Sequence, residues 1–423
     1  MRKGCLIFVA MAILISGCTG AGFTSDSDST SDSKITTQER SEAVERKETH
    51  LVQETNQLGM KLFKQLRATE EGRNVSISPY SITAALALAY NGSTGETATE
   101  LGELLGYAPA ERENMNKEHQ ALLTNLNNVG SGIELKTANS IWAKEELPLR
   151  KEYLSTGKAF YEAEIRNTDF SGQQSVKEIN EWVSTHTEDK IKKMLEEPPG
   201  KDAVAVLVNA VYFKGGWNQV FAEEDTQLAD FHPTEDSKVQ VNMMKQSGVF
   251  VYAETENWQA IRLPFTAWEM DMLIVLPDED YSLDELQDEL AKGELQDSVF
   301  DGKIGEISLP RFTANYGIDL KDALKALGVK QAFDPDHGNF SDLAETTDPI
   351  FINQIIHKSY IRVNEQGSEA AASTLSALMA GGGPPTDEPF KMVVNRPFLF
   401  AINDRQTGVM LFLGAIENPT LTQ

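Results

Sequence analysis

The run AVAVLVNAVYFKGGW, residues 203–217, is almost wholly apolar or β-branched up to Lys214. A strand on a solvated sheet alternates apolar and polar residues, because successive side chains point to opposite faces. This run does not alternate, so both faces of the strand must be covered. The chain must therefore build a sheet with packed layers on either side. With 423 residues, 40% of them hydrophobic and 24% charged, it is long enough for one large or two medium domains with a proper core.

Other segments fill in the layers. NVSISPYSI, residues 74–82, alternates Val75 and Ile77 with Ser before Pro79, then becomes an Ala- and Leu-rich run to Tyr90. That pattern predicts a short strand feeding a buried helix, with Pro79 near its first turn. Leu51, Leu58, Leu62, Phe63 and Leu66 are spaced as one apolar face of a helix. Residues 239–253 and 270–277 are strand candidates, and residues 316–329 read as a helix closed by Gly328. Residues 392–402 and 408–416 read as closing strands separated by residues 403–407. These types do not follow the regular strand-helix-strand order of a doubly wound sheet, so the expected class is mixed α+β.

The formal net charge is −26. Nucleic-acid phosphates would be repelled and would find few basic contacts, which argues against such a partner. Arg2 and Lys3 precede an apolar run ending Ile15-Ser16-Gly17-Cys18, too short to span a bilayer and matching a secretory signal peptide. The ending resembles the lipobox of prokaryotic lipoproteins, which makes Cys18 the expected lipidation site; a plain signal peptide cut nearby is the alternative. The only other cysteine, Cys5, lies in the leader, so the mature fold is expected to hold no internal disulfide. Residues 19–34 are Thr, Gly, Ser and Asp with scarcely an apolar side chain and read as a tether. The resulting division is 1–17 signal peptide, 18–48 lipid-anchored linker and 49–423 globular domain, in an exported protein held at the cell surface or extracellular.

Catalytic signatures are scarce. The six His residues show no metal-ligand pairing on one helix face, and there is no G-x-S-x-G elbow, P-loop or dinucleotide glycine fingerprint. In so acidic a chain no chosen carboxylate pair is informative, and charge runs are mostly solvating. The expectation is a protein that is not an enzyme and needs neither cofactor nor metal.

Against this background NEQGSEAAASTLSALMAGGGPP, residues 364–385, is unexpected: a long run of small residues just before the last strands. By composition it is a linker or an Ala-rich helix. Its flanks change that reading. NVSISPYSI, VNAVYFKGGW, FHPTEDSKVQVNMMKQSG, ISLPRF, IHKSYIRVNEQGSEAAAS, NRPFLFAI and FLGAIENP occur collinearly from about Leu51 to Pro419 and resemble the serpin family.

The resemblance implies one α+β domain with three β-sheets, about eight or nine helices and an exposed reactive loop above a five-stranded main sheet. It implies a serine protease inhibitor acting as a suicide substrate: the protease cuts the loop, and the severed arm enters the sheet with the protease covalently attached. Glu365, Gly367, Ser368, Glu369, Ala370, Ala371, Ala372 and Ser373 match the hinge. Ser78, Ser81, Asn209 and His357 match the polar cluster below the insertion gap, and Trp217 the place where the loop first enters; His357 and Trp217 taken alone are ordinary core residues. At the strand period of two, Ser368, Ala370, Ala372, Thr374 and Ser376 form an inward set in which every member is small.

Gly367 and Asn395 lie 28 residues apart, longer than the family's typical inhibitory spacing. Counting forward from Gly367 puts the scissile bond near Gly381 and Gly382, counting back from Asn395 puts it near Asp387, and Leu378, Met379 and Ala380 stay in play. The forward count is preferred, because the inserting length must match the sheet while the far side can absorb residues at little entropic cost. Apolar or small residues at the bond suit chymotrypsin-like, elastase-like or subtilisin-like serine proteases, with cysteine proteases as a further class. The expected state is a monomer that meets a membrane only through its lipid. The competing reading is a non-inhibitory serpin fold used for binding or as a structural surface protein, which should carry a bulky, charged or proline-containing hinge.

Overall fold

The computed structural model describes residues 49–291, 299–368 and 388–421. Helix α1 (His50–Arg67) starts at Thr49, whose side chain accepts from the Val52 amide, and buries Leu51, Leu58, Leu62, Phe63 and Leu66 along one face. Strand β1 (Val75–Ile77) turns at Ser78 into α2 (Pro79–Gly92), where the Ser78 hydroxyl caps the Ser81 amide and proline fills the first helical position. Helix α2 is buried nearly all round, as a helix without a polar face must be. Around it lie α3 (Gly95–Leu105), α4 (Arg112–Asn127) and, after strand β2 (Ile133–Lys144), α5 (Lys151–Tyr161).

Next come β3 (Glu164–Thr168), α6 (Gln173–His186), β4 (Ala205–Gly216), β5 (Gln227–Thr234), β6 (Ser237–Glu254), β7 (Trp258–Pro264), β8 (Met270–Pro277) and α7 (Leu283–Ala291). The chain closes with β9 (Asp301–Pro310), β10 (Phe312–Asp319), α8 (Lys321–Ala326), β11 (Ile352–Asn364), β12 (Gly367–Ser368), β13 (Phe390–Val393), β14 (Phe398–Asp404) and β15 (Met410–Ile416). Among the described residues there are thus eight α-helices, in line with the expected α+β class.

One sheet runs β10-β11-β12-β4-β2-β3, with β11 also paired directly to β4. The run singled out first is its centre. Leu207, Val211 and Phe213 of β4 join the main core, while Val206, Val208 and Ala210 join a second cluster with Ile179, Trp182 and Val183 of α6 and Ile191 beyond it. Two cores, one on each face, are why β4 carries no polar alternation.

The other strands form one nine-stranded network, β1-β15-β14-β8-β7-β6-β9-β13 with β5 on β6. The expected three sheets appear when the 18-residue β6 is divided: its residues 237–243 pair with β5, its residues 243–252 with β9, and its last residues, 251–254, with β7.

Two segments depart from the sequence reading. Residues 316–329 are not one helix. Phe312, Ala314 and Tyr316 alternate inward on β10, which pairs along its whole length with β11. The Asp319 carboxylate then accepts from the Lys321 and Ile355 amides and starts a short helix, which ends, as expected, before Gly328 at φ +108°. Residues 392–402 are not one strand either. Asn395, Arg396 and Pro397 break them, Pro397 having no N–H for a ladder. The first leg pairs parallel with β9 and the second antiparallel with β8 and β15.

Candidate functional site

Strands β4 and β11 are a parallel pair from Ala205 and Ile352 up to Tyr212 and Tyr360. Above that level they separate, and β12 lies antiparallel to both: Ser368 faces Val363 and Gly215, and Gly367 faces Asn364 and Gly216. The chain reverses through Glu365 and Gln366, where the Asn364 side chain accepts the Gln366 amide. Gly367 has φ +134°, and a Cβ there would sit 2.2 Å from the Gly215 carbonyl oxygen. Only glycine fits, for reasons of both conformation and space. Ser368 is fully buried, and its hydroxyl donates to the Phe213 carbonyl at 3.1 Å.

The turn is fastened on both sides. Glu365 is buried, and its Oε1 accepts from Arg311 Nε at 2.7 Å and from Thr226 Oγ1 at 2.5 Å. Burial raises its carboxyl pKa, but the bonds from Arg311 and Thr226 and the arginine's charge outweigh that and hold it below the ordinary value. Trp217 closes the other side: its indole donates to the Asn364 carbonyl at 2.9 Å, its backbone amide to Gln366, and its ring stacks on Phe265 with centroids 4.7 Å apart. Arg311 stands inside the ISLPRF motif, but nothing in the sequence alone brings it to Glu365, 54 residues on.

Lower in the sheet a polar row crosses three strands. Asn139 on β2, Asn209 on β4 and His357 on β11 are register neighbours. Asn209 Nδ2 lies 2.5 Å from both Asn139 Oδ1 and Ser81 Oγ, and its Oδ1 lies 2.5 Å from His357 Nδ1. Since His357 Nε2 accepts from the Ser78 amide at 3.2 Å, the ring proton sits on Nδ1 and is donated to Asn209. Beside this row Ser359 donates to the Ser76 carbonyl at 2.7 Å. Hydrogen bonds therefore join Ser78, Ser81, Asn209 and His357 to one another and to Asn139, and neither Asn139 nor the neighbouring Ser359–Ser76 pair was revealed by the sequence. The register that brings them in is written only in the sheet.

His357 is fully enclosed, and burial pushes its pKa from 6.5 down to about 3. Its neutral form also matches the geometry, because protonation of Nε2 would abolish the bond from Ser78. An unfolded chain takes up a proton as pH falls through 6.5, whereas the folded one resists until near 3, so stability is full above 6.5 and is lost below it. The expected loss is about 1.4 kcal/mol per pH unit for such a group. His119, also buried and lowered to about 3, adds its own share. Urea unfolding between pH 7 and 5 should show the decline, and His357→Gln should flatten it by roughly half; an unchanged slope would mean that His357 is not held neutral.

Glu369, Ala370, Ala371, Ala372, Ser373 and the bond region Leu378, Met379, Ala380, Gly381 and Gly382 lie outside the described residues, as do Cys18 and the segments 1–17 and 18–48. Among the described residues no group of three His, Cys, Asp or Glu could hold a metal ion, and no helix is long and apolar enough to cross a membrane.

The geometry supports one kind of event. A parallel pair, slightly weaker per residue than an antiparallel one, sits in the middle of the sheet with a strand already started at its mouth. Continuing that strand would exchange one parallel ladder for two antiparallel ones. Fold and site thus define an α+β protein with a short strand seated at the open end of a central parallel pair. The sequence model of the family Serpin (serine protease inhibitor) matches residues 53–419, and the chain belongs to that family.

Human neuroserpin is 34% identical over 381 residues, covering 86% of this chain and 90% of the relative. An uncharacterized serpin-like protein of Thermococcus kodakarensis is 32% identical over 437 residues and covers 99% of each. Among solved structures, human thyroxine-binding globulin in its thyroxine complex superposes with TM-score 0.78 at 25% identity, over 88% of this chain and all of that one. Members of the family are typically protease inhibitors rather than catalysts.

Proposed function

We propose that this protein traps serine proteases as a suicide substrate, through cleavage of the loop after Ser368 and entry of the cut arm between β4 and β11. The observation that carries this reading is β12, seated antiparallel to both walls of the gap. Its register, continued, sets Thr374 opposite both Asn209 and His357, where a hydroxyl could replace the bond that joins them. Ser368, Ala370, Ala372, Thr374 and Ser376 would then face the side of Phe213, Val211 and Leu207, and none is large enough to be excluded by that packed core. The same register would bring Leu378 opposite Ala205, the first residue of β4 and so the far end for an arm entering at Gly216, which supports a scissile bond at or just beyond Leu378 among Met379, Ala380, Gly381 and Gly382.

In this reading Glu365, Gly367 and Ser368 with residues 369–373 are the hinge, Trp217 guards the point of entry, and Ser78, Ser81, Asn209 and His357 keep the gap shut until the arm arrives. A lipid on Cys18 would hold the protein outside the cell, where secreted proteases of chymotrypsin-like, elastase-like or subtilisin-like specificity would meet it.

Mixing the protein with pancreatic elastase or subtilisin should yield a complex that survives SDS, and mass spectrometry of the released C-terminal fragment should locate the cut within residues 378–382. Complete cleavage with no complex would overturn inhibition in favour of a binding or structural role.

A further inference from the structure

Away from the gap, a cavity of about 580 Å³ lies between the end of α1, the β5–β6 turn, the start of α7 and the connection from β13 to β14. Its apolar lining includes Pro233, Pro277, Tyr281, Leu283 and Pro397. Two arginines also line it, in different states. Arg67 is satisfied, by Asp284 at 2.8 Å and by Glu417 and Gln287 at 3.0 Å. Arg396 is half-buried and donates Nε to the Pro277 carbonyl at 2.9 Å and Nη1 to Asn395 Oδ1 at 3.1 Å, but among the described residues no carboxylate lies within ion-pair distance of it.

A partly desolvated guanidinium held by two neutral acceptors, with Nη2 still to spend, is an anchor for a planar anion. Burial lowers the Arg396 pKa, against the opposing charges of Glu279 and Asp278, which act on it without touching it. Both of these carboxylates are exposed and line the same cavity. The lining therefore offers the Arg396 guanidinium, the exposed carboxylates of Asp278, Glu279 and Glu235, and apolar surface from Pro233, Tyr281 and Pro397. A simple anion would be repelled by the carboxylates and a simple cation by Arg396; a molecule with both charges satisfies both sides.

We propose that this cavity binds a small zwitterion with an apolar side chain, a free amino acid or short peptide, whose carboxylate takes Arg396 and whose ammonium faces Asp278 and Glu279. Its occupancy is independent of protease trapping.

The test is calorimetric titration of the full chain with L-phenylalanine, L-phenylalaninamide, which lacks the carboxylate, and N-acetyl-L-phenylalanine, which lacks the ammonium. Phenylalanine should bind at millimolar concentration or below, and each derivative about tenfold or more weakly. Arg396→Met should weaken phenylalanine binding by about tenfold or more. Because that change could disturb the β13–β14 connection, the pair Asp278→Asn and Glu279→Gln, both on the surface, provides a second arm: it should weaken phenylalanine severalfold and should not weaken the acetylated compound, which loses a repulsion. Absence of phenylalanine binding, equal binding of the amide, or unchanged affinity in the double variant would each overturn the assignment.

Discussion

Replacing Ser368 with Arg should turn the protein from a trap into a substrate: a target protease should cut it fully and leave active, with the yield of SDS-resistant complex down by about tenfold or more. Ser368 is fully buried between β4 and β11, with its hydroxyl on the Phe213 carbonyl. An arginine there would need its charge buried without a partner, at a cost of several kcal/mol. At about 1.4 kcal/mol per decade, such a penalty in the step that competes with deacylation shifts the outcome strongly toward release. Ser368→Ala, which loses one hydrogen bond and adds no bulk, should retain trapping. If Ser368→Arg forms complex as well as the parent does, the buried side of the hinge has no part in inhibition.

The second large effect concerns the cut protein itself. Cleavage within residues 378–382 should raise the thermal midpoint by at least about ten degrees, as read by calorimetry on the intact and nicked chains. The gain comes from an added strand with ladder bonds on both sides. At roughly 1 kcal/mol per bond this is on the order of 10 kcal/mol before ordering entropy is subtracted. Exchange of the parallel β4–β11 ladder for antiparallel pairing adds to it. An identical midpoint before and after the cut would show that no strand enters, and the trapping mechanism would fail with it.

How far the sequence foretold this structure depended on whether the information was local. Strand β4 could be read from its own residues, because burial on both faces leaves no alternation to confuse it, and α2 announced itself through Ser78, Pro79 and an unbroken apolar run. Residues 316–329 misled because Leu320, Leu324 and Leu327 carry a helical spacing that hides the inward alternation of Phe312, Ala314 and Tyr316, and only pairing with β11 decides between them. Within the site, Glu365, Gly367 and His357 could be picked out through family resemblance. Their partners Arg311, Thr226 and Asn139 lie far away in the chain and meet them only once the sheet register is set.

Gly367 has one more consequence, for accuracy. A growing strand can err by slipping one residue, which would swap its two faces and present Glu369 where Ser368 now lies. Here the only residue that tolerates φ +134° against the Gly215 carbonyl is also the one that fixes the alignment. Any arm that follows starts in frame, as a zip does once its slider is seated, and its misalignment is prevented at the first tooth instead of being corrected later.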